Sequence, residues 1–436
     1  MTTPQPSLPI GEPELAAAAD APGPDVPERA SGGFIAAFWF AQFANWFALL
    51  TPVVVTIALK IAEITTPAEK AAQLGVVLAV GALASTVATP VWGAISDRTT
   101  ARIGRRKLWM IIGVAGGGIG LATMGLAPNV VVFGLGWMIA QIAFNANQAS
   151  LNALLPDQIP EAQRGRVSGL LGLTTIVAML AGTFVTQFTT GSSLLMFLGP
   201  WVVTVISLII LMTVFHDRPA RPEDIRPYSL REFARTFWVS PRRHPDFAWA
   251  FASRFLVFLG NAFIQTYGVY FLTDHLHVGP ARIATFVFLS TLVNAVVTVI
   301  ISVLGGYLSD LFRRRKPFVF IAAVILAVGL VLAGSSNSFG MYLVATGVVA
   351  LGSGLYYGVD LALAAAVLPD PNNAAKDMGV FQIANALPQS LAPMIAPVFL
   401  AIGTAGATGN YVAVFIAGAV FALLGAFAIA PVRGTR

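Results

Sequence analysis

An all-α polytopic membrane protein of twelve transmembrane helices, arranged as two pseudo-symmetric six-helix bundles, is the fold class this sequence predicts. Three observations predict it: a composition too apolar for a water-soluble particle, apolar runs of about 20 residues recurring along the chain, and a pair of motifs repeated at one spacing. Of the 436 residues, 11% are charged and 56% hydrophobic, against about 25% charged in an ordinary soluble domain. So little polar surface argues against a cytosolic globular enzyme, a disordered protein or a nucleic-acid binder, despite the net charge of +6. Cysteine is absent, which excludes disulfides, thiolate metal sites and cysteine nucleophiles. The four histidines, His216, His244, His275 and His277, fall in polar stretches, so no histidine relay within the membrane is expected.

Residues 1–32, rich in Pro and Ala and bearing Glu12, Glu14, Asp20, Asp25 and Glu28, read as a disordered tail without the features of a secretory signal. From Gly33 the apolar runs begin, each of the length that crosses about 30 Å of hydrocarbon as a helix. They lie near 33–59, 72–95, 108–127, 130–155, 167–189 and 193–215, and after a polar break near 247–273, 281–308, 317–335, 339–368, 378–402 and 410–431. The bundles are thus expected over 33–215 and 247–431, joined by a central loop at 216–246 and followed by a short tail at 432–436.

Basic residues orient the spans. The loop between spans 2 and 3 holds Arg98, Arg102, Arg105, Arg106 and Lys107, and that between spans 8 and 9 holds Arg313, Arg314, Arg315 and Lys316. The central loop adds Arg218, Arg221, Arg226, Arg231, Arg235, Arg242 and Arg243, whereas loops of opposite parity offer Lys60, Lys70 and Arg282. Both termini and the central loop are therefore expected in the cytoplasm, and the protein in the cell membrane. In the central loop, Leu230, Phe233, Ala234, Phe237 and Trp238 share one helical face behind a Ser229–Glu232 capping box. This describes a short amphipathic helix, either lying on the inner membrane surface or packed beneath the bundle.

The halves repeat at an offset of 213 residues. Gly93–Asp97 reads G-A-I-S-D and Gly306–Asp310 reads G-Y-L-S-D, each followed by a basic cluster. The same offset carries Leu155-Pro156-Asp157 onto Leu368-Pro369-Asp370. Two matches at one spacing mark parallel repeats, with solute expected between them near mid-membrane.

The stretch G-A-I-S-D-R-T-T-A-R-I-G-R-R-K (Gly93–Lys107), with its degenerate copy at 306–316, resembles the loop 2–3 signature of the major facilitator superfamily. Pro156–Arg166, P-D-Q-I-P-E-A-Q-R-G-R, resembles the loop 4–5 element of the same families. The long spacing from Asp97-Arg98 to Gly104-Arg105-Arg106 is closer to the glycoside–pentoside–hexuronide cation symporters and the sucrose/proton symporters. The resemblance implies a cavity lined by helices 1, 4, 7 and 10. It also implies a gate in which Asp97, Arg98, Arg105 and Arg106, with Asp310 and Arg313 in the second repeat, hold the cytoplasmic side shut. The melibiose-type carboxylates inside helices 2 and 4 have no counterpart here, which argues against sodium coupling.

A charge at a helix centre costs about 2.5–3.5 kcal/mol on insertion scales and needs a partner or water. Arg254 in span 7 and Asp360 in span 10 are such charges, opposite in sign and similar in depth, about 10 and 14 Å from the inner face. An ion pair between them is expected. Two roles fit: a static strut between the helices, or a coupling pair in which Asp360 titrates or contacts solute and Arg254 modulates it. At the offset of 213, Asp360 corresponds to Asn147, and Gln42 aligns with Arg254 after a slip of one residue. Amides thus stand in the first half where charges stand in the second.

Further polar groups cluster on the cavity spans. Span 1 carries Gln42, Asn45 and Trp46; span 7 aligns Arg254, Asn261 and Gln265 on one face; span 10 places Tyr356 and Tyr357 before Asp360; span 11 carries Gln382, Asn385 and Gln389. On span 4, Gln141, Asn145, Gln148 and Asn152 share a face while Asn147 points about 120° away, leaving open which face lines the cavity. Singly, an amide in a membrane helix is more often interhelical glue, worth about 0.6 kcal/mol, than a ligand contact. As a set beside aromatic rings, they suit a sugar-sized polyol. Gly113, Gly117 and Gly120 in span 3 allow close helix approach, and Pro388, Pro393 and Pro397 permit bending of span 11.

The leading expectation is a monomeric secondary transporter of a sugar or glycoside, with protons and the lipid bilayer as its other partners and no cofactor or metal. Uniport stays open, as do a drug or metabolite exporter and a non-transporting sensor on the same scaffold. No H-E-x-x-H, G-x-S-x-G or Walker motif appears, so an enzyme is not expected.

Overall fold

The computed structural model describes residues 29–215, 217, 242–312, 314–367, 374–403 and 409–432. The amphipathic segment at 230–238, Arg313, the motif Leu368-Pro369-Asp370 and most of the N-terminal tail lie outside the described residues. Among the described residues, twelve helices are long and apolar enough to cross a membrane. They are α1 (Gly32–Ile64), α2 (Lys70–Asp97), α3 (Lys107–Leu126), α4 (Val130–Gln158), α5 (Glu161–Thr189) and α6 (Ser193–Val214). The second set is α7 (Pro245–His275), α8 (Pro280–Phe312), α9 (Lys316–Gly334), α10 (Phe339–Ala366), α11 (Ala374–Leu400) and α12 (Tyr411–Ala428).

Side-chain caps start several of these helices where the sequence turns from polar to apolar. Ser31, Asn129, Ser192, Ser338 and Asn410 each accept a hydrogen bond from a backbone N–H three residues on, meeting donors that no helical carbonyl can reach. The largest departures from the expected spans have local causes. Helix α1 runs on to Ile64 because Lys60 is buried and bonded to Glu63 at 2.9 Å and to Ser193 at 3.2 Å; it is not a loop residue. Helix α5 begins at Glu161, after Pro160, so the polar run before Val167 is a helical turn. Helix α7 extends to His275, whose ring stacks on Phe271 at 4.7 Å.

Each half uses the same packing scheme. Helix α3 packs on α4 and α6, α2 on α4, and α1 on α5 and α6. Six helices later α9 packs on α10 and α12, α8 on α10, and α7 on α11 and α12. The halves meet along α2 with α11 and α5 with α8, so the repeat seen in the motifs extends to the three-dimensional arrangement. The α3–α4 contact is backbone on backbone: a Cβ at Gly120 would lie 2.5 Å from Ala140 N, and one at Gly113 2.7 Å from Ala143 O.

We call the end at which α1 starts and α12 finishes the basic face, because the loop after α2 and the loop before α9 place their arginines there. At the opposite, far face the halves are tied together. Lys70 of α2 pairs with Asp274 of α7 at 2.5 Å, and Tyr411 of α12 donates to the same carboxylate at 2.6 Å. Tyr270 donates to Ala58 O at 3.0 Å and Thr285 of α8 to Gln187 of α5 at 3.0 Å. Pro397 has no N–H with which to reach Pro393 O four residues back. The hydroxyl of Tyr267 donates to that freed carbonyl at 3.2 Å and lies 3.4 Å from Ala71 O. A bend in α11 thereby becomes a tie between halves.

Tyr267→Phe leaves that buried carbonyl without a donor and should lower stability in detergent by about 1–3 kcal/mol. Gly120→Leu, which drives a side chain into the α4 backbone, should destabilise more. Thermal unfolding of the purified variants measures both.

Candidate solute and coupling site

Arg254 and Asp360 meet as the sequence predicts. The guanidinium Nη1 of Arg254 lies 3.1 Å from Asp360 Oδ2, with both side chains about 95% buried. Helix α7 supplies the first and α10 the second, and α11 closes the site: Arg254 Nη2 donates to Gln382 at 3.0 Å. The rings of Phe381 and Phe258 lie 4.7 and 5.4 Å from the guanidinium carbon, a cation–π setting worth most when dry. Gln382 itself is exposed, so it links the buried pair to the surface of the bundle. Asp360 Oδ1, Arg254 Nε and Nη1 and the Tyr356 hydroxyl are buried without a hydrogen-bond partner among the described residues, so the Nη1–Oδ2 contact is ionic.

The tyrosines beside Asp360 separate. Tyr356 is 1% exposed with its ring edge on Phe258, out of reach of a solute in this state, whereas Tyr357 is 37% exposed and accepts from Asn261 at 3.4 Å. Asn385 is half-buried and lies 3.5 Å from Gln389 through its side-chain oxygen.

In the first half the predicted amides form one network between α1 and α4. Asn45 donates to Gln148 at 2.6 Å and accepts from Asn147 at 2.8 Å. Gln148 donates to Gln42 at 3.1 Å and to Asn152 at 2.8 Å, and Gln42 donates to Asn152 at 3.1 Å. Both faces of α4 thus reach α1, because Asn45 sits between Asn147 and Gln148. Asn145 turns to α2, accepting from Thr89 at 2.8 Å while donating to Gln141 O at 2.7 Å. Trp46 is half-buried against the core. Asn147, the repeat counterpart of Asp360, thus ties α4 to α1 through Asn45, one turn along from Gln42, the counterpart of Arg254, which bonds Gln148 and Asn152 instead.

At the basic face the arginine motif folds inside the first half. Arg106, 4% exposed, contacts Asp97 at 2.6 Å, Asp157 at 3.0 Å and Ser96 at 2.9 Å, and Arg105 reaches Asp157 at 2.9 Å. Asp217 accepts from the backbone N–H groups of Arg106 and Lys107 at 2.6 and 2.8 Å, closing the start of α3. Gly104 precedes this turn at φ +115°, a conformation that favours glycine. Arg98 donates to Ala94 O at 2.7 Å. Asp310 is exposed and has no ion-pair partner among the described residues. In the second half Arg315 donates to Ala362 O at 2.5 Å.

Two groups escaped sequence reasoning. Lys70 counts there as a loop charge and Asp274 is not among the candidates, although one lies at the start of a span and the other at the end of one, and that placement was the available signal. Asn294 of α8 lines a cavity with Gln265, and a lone amide on a helix not expected to face the cavity gave no cue.

An integral multi-pass membrane protein with two like halves and polar groups gathered between its helices is the class this arrangement defines. The chain belongs to the Major Facilitator Superfamily, whose family model matches residues 34–304 and 250–435. The fold is shared with the nucleoside transporter NupG (D323A mutant; TM-score 0.71, 13% identity, 91% of this chain and 98% of that one). It is also shared with a bacterial homologue of the human lysosomal transporter Spinster, inward-facing and unoccupied (0.69, 16%, 92% and 98%). A third structure is a D-xylose–proton symporter (0.68, 14%, 93% and 98%). No curated protein sequence matches the chain.

Removing one partner of a buried ion pair strands the other, at about 3–5 kcal/mol. Arg254→Ala and Asp360→Ala should each lower the unfolding temperature markedly, and the double variant should recover much of the loss. A double-mutant cycle by thermal unfolding measures this coupling.

Proposed function

We propose that this protein is a secondary active transporter that moves a small neutral polar solute, of the sugar or glycoside class, by alternating access with a proton carried at Asp360. The basic face is cytoplasmic by the bias of its arginines, and the ties at the far face then correspond to an inward-open state. The spacing of the loop 2–3 motif favours the glycoside–pentoside–hexuronide and sucrose–proton symporters as nearest functional kin. The D-xylose–proton symporter and nucleoside transporter of the same fold handle hydroxylated solutes, which agrees with that class.

The observation that carries the reading is the contrast between equivalent links. Amides join α1 to α4 and do not titrate; an acid and a guanidinium join α7 to α10. Asp360 holds Arg254 through Oδ2, while Oδ1 has no protein donor and is free to take a proton. Protonation removes the negative charge, and Arg254 then keeps Gln382 and two aromatic faces but loses its ionic partner. The α7–α10 contact thus has two charge states, and transport follows if they favour different openings of the cavity. Outward opening must separate Lys70 from Asp274.

Two measurements test this. In proteoliposomes with labelled D-xylose, D-glucose and sucrose, an imposed proton gradient should drive accumulation of at least one sugar. Asp360→Asn should abolish accumulation while sparing solute counterflow; accumulation with unchanged pH dependence would remove Asp360 from coupling. Because the chain lacks cysteine, a single cysteine placed by Gln265→Cys reports access to the cleft. Adding Lys70→Ala should speed its labelling from the far side several-fold.

A further inference from the structure

A cavity lies between α7, α8 and α10, with α1 and α5 of the other half as its opposite wall. The wall from the second half sets Gln265, Thr291 and Asn294, whose side chains have no hydrogen-bond partner among the described residues, among apolar side chains such as Ile264, Leu272 and Val287. Two neighbouring hydroxyls are occupied, Ser290 donating to Phe286 O at 2.8 Å and Thr346 to Tyr342 O at 2.9 Å, so toward a solute they offer only acceptors. The wall contributed by the first half consists of Val54 and Met179, both apolar. No Asp, Glu, Lys, Arg or His lines the cavity. Gln265 stands about 16 Å along α7 from Arg254, at 1.5 Å per residue.

Resting on the transporter reading above, we infer that this cavity is the solute pocket and that it selects a neutral solute with a hydroxylated ring and a flat apolar substituent. The ring hydroxyls bond Gln265, Asn294 and Thr291, and the apolar substituent lies on Val54 and Met179. A charged solute would shed its hydration without gaining a counter-charge. A small free sugar satisfies the polar wall and leaves the apolar wall facing hydroxyls. Two unpartnered amides on separate helices set specificity, since a site built to bond a hydroxyl rejects an analogue that lacks it. Asn294 is the specificity-determining residue this adds. Both walls are in place only while the halves are closed at the far face, so the solute bridges the two repeats.

Equilibrium binding to the purified full chain tests the assignment, with methyl β-glucoside, phenyl β-glucoside and a lipophilic cation as probes. Phenyl β-glucoside should bind at least tenfold more tightly than methyl β-glucoside, and the cation should not compete. Asn294→Ala and Gln265→Ala should each weaken that binding tenfold or more, with unfolding temperatures close to wild type showing that the variants fold. Met179→Ser should erase the preference for the phenyl over the methyl compound. Equal affinities for phenyl and methyl glucosides, tight cation binding, no binding of any neutral probe, or wild-type affinity in Asn294→Ala would each overturn the assignment. Labelling of the cysteine at position 265 from the two sides separates this from the transporter reading. Alternating access without the expected binding sinks the pocket alone, and binding without alternation sinks transport alone.

Discussion

A guanidinium and a carboxylate inside a helix bundle bounded by hydrocarbon stay charged only because they hold each other. At 3.1 Å, with nearly all of both side chains buried, Arg254 and Asp360 fix where α7 meets α10. The attraction is strong in such a medium and so is the desolvation it must offset. The pair is thus a poor source of net stability and a sensitive one: a single proton changes the balance. Around it the protein supplies two aromatic faces and the amide of Gln382. In the first half five amides between α1 and α4 bond one another instead.

That asymmetry gives the two halves different work. The amide network holds α1 on α4 with neutral bonds. On the proposed mechanism the charged link takes two protonation states, and the far-face ties give those states something to act on. Lys70 and Asp274 are mostly buried, with Tyr411 on the same carboxylate and the Tyr270 ring 5.0 Å from the ammonium. Helices α2, α7 and α12, drawn from both halves, converge there. At the basic face, by contrast, Arg106 with Asp97 and Asp157 acts within one half. It braces α2, α3 and α4 against one another.

Much of the architecture was legible in the sequence, because hydrocarbon leaves few solutions for a backbone. Twelve apolar runs, their basic loops and the repeated G-x-x-S-D motif sufficed for helix count and pseudo-symmetry. Boundaries slipped where charges were tolerated inside a helix, as at Lys60, which Glu63 and Ser193 make acceptable. Of the site, the meeting of Arg254 and Asp360 was readable because isolated charges in apolar helices need partners. Which amides face each other and which face solute was not, since an asparagine in a helix serves either use. Asn45 and Gln265 look alike in the sequence; one is fully buried in a network and the other lines a cavity. Only the packing of neighbouring helices separates them.

The central claim is that Asp360 gains and loses a proton as the α7–α10 link changes state. Infrared difference spectroscopy of the purified protein, recorded across a pH titration in heavy and light water, observes the carboxyl stretch of a buried acid directly. The account predicts a protonated-carboxyl band that appears as pH falls, shifts on deuteration and is missing in Asp360→Asn. A spectrum in which no such band distinguishes wild type from Asp360→Asn would contradict it and leave the pair as a strut.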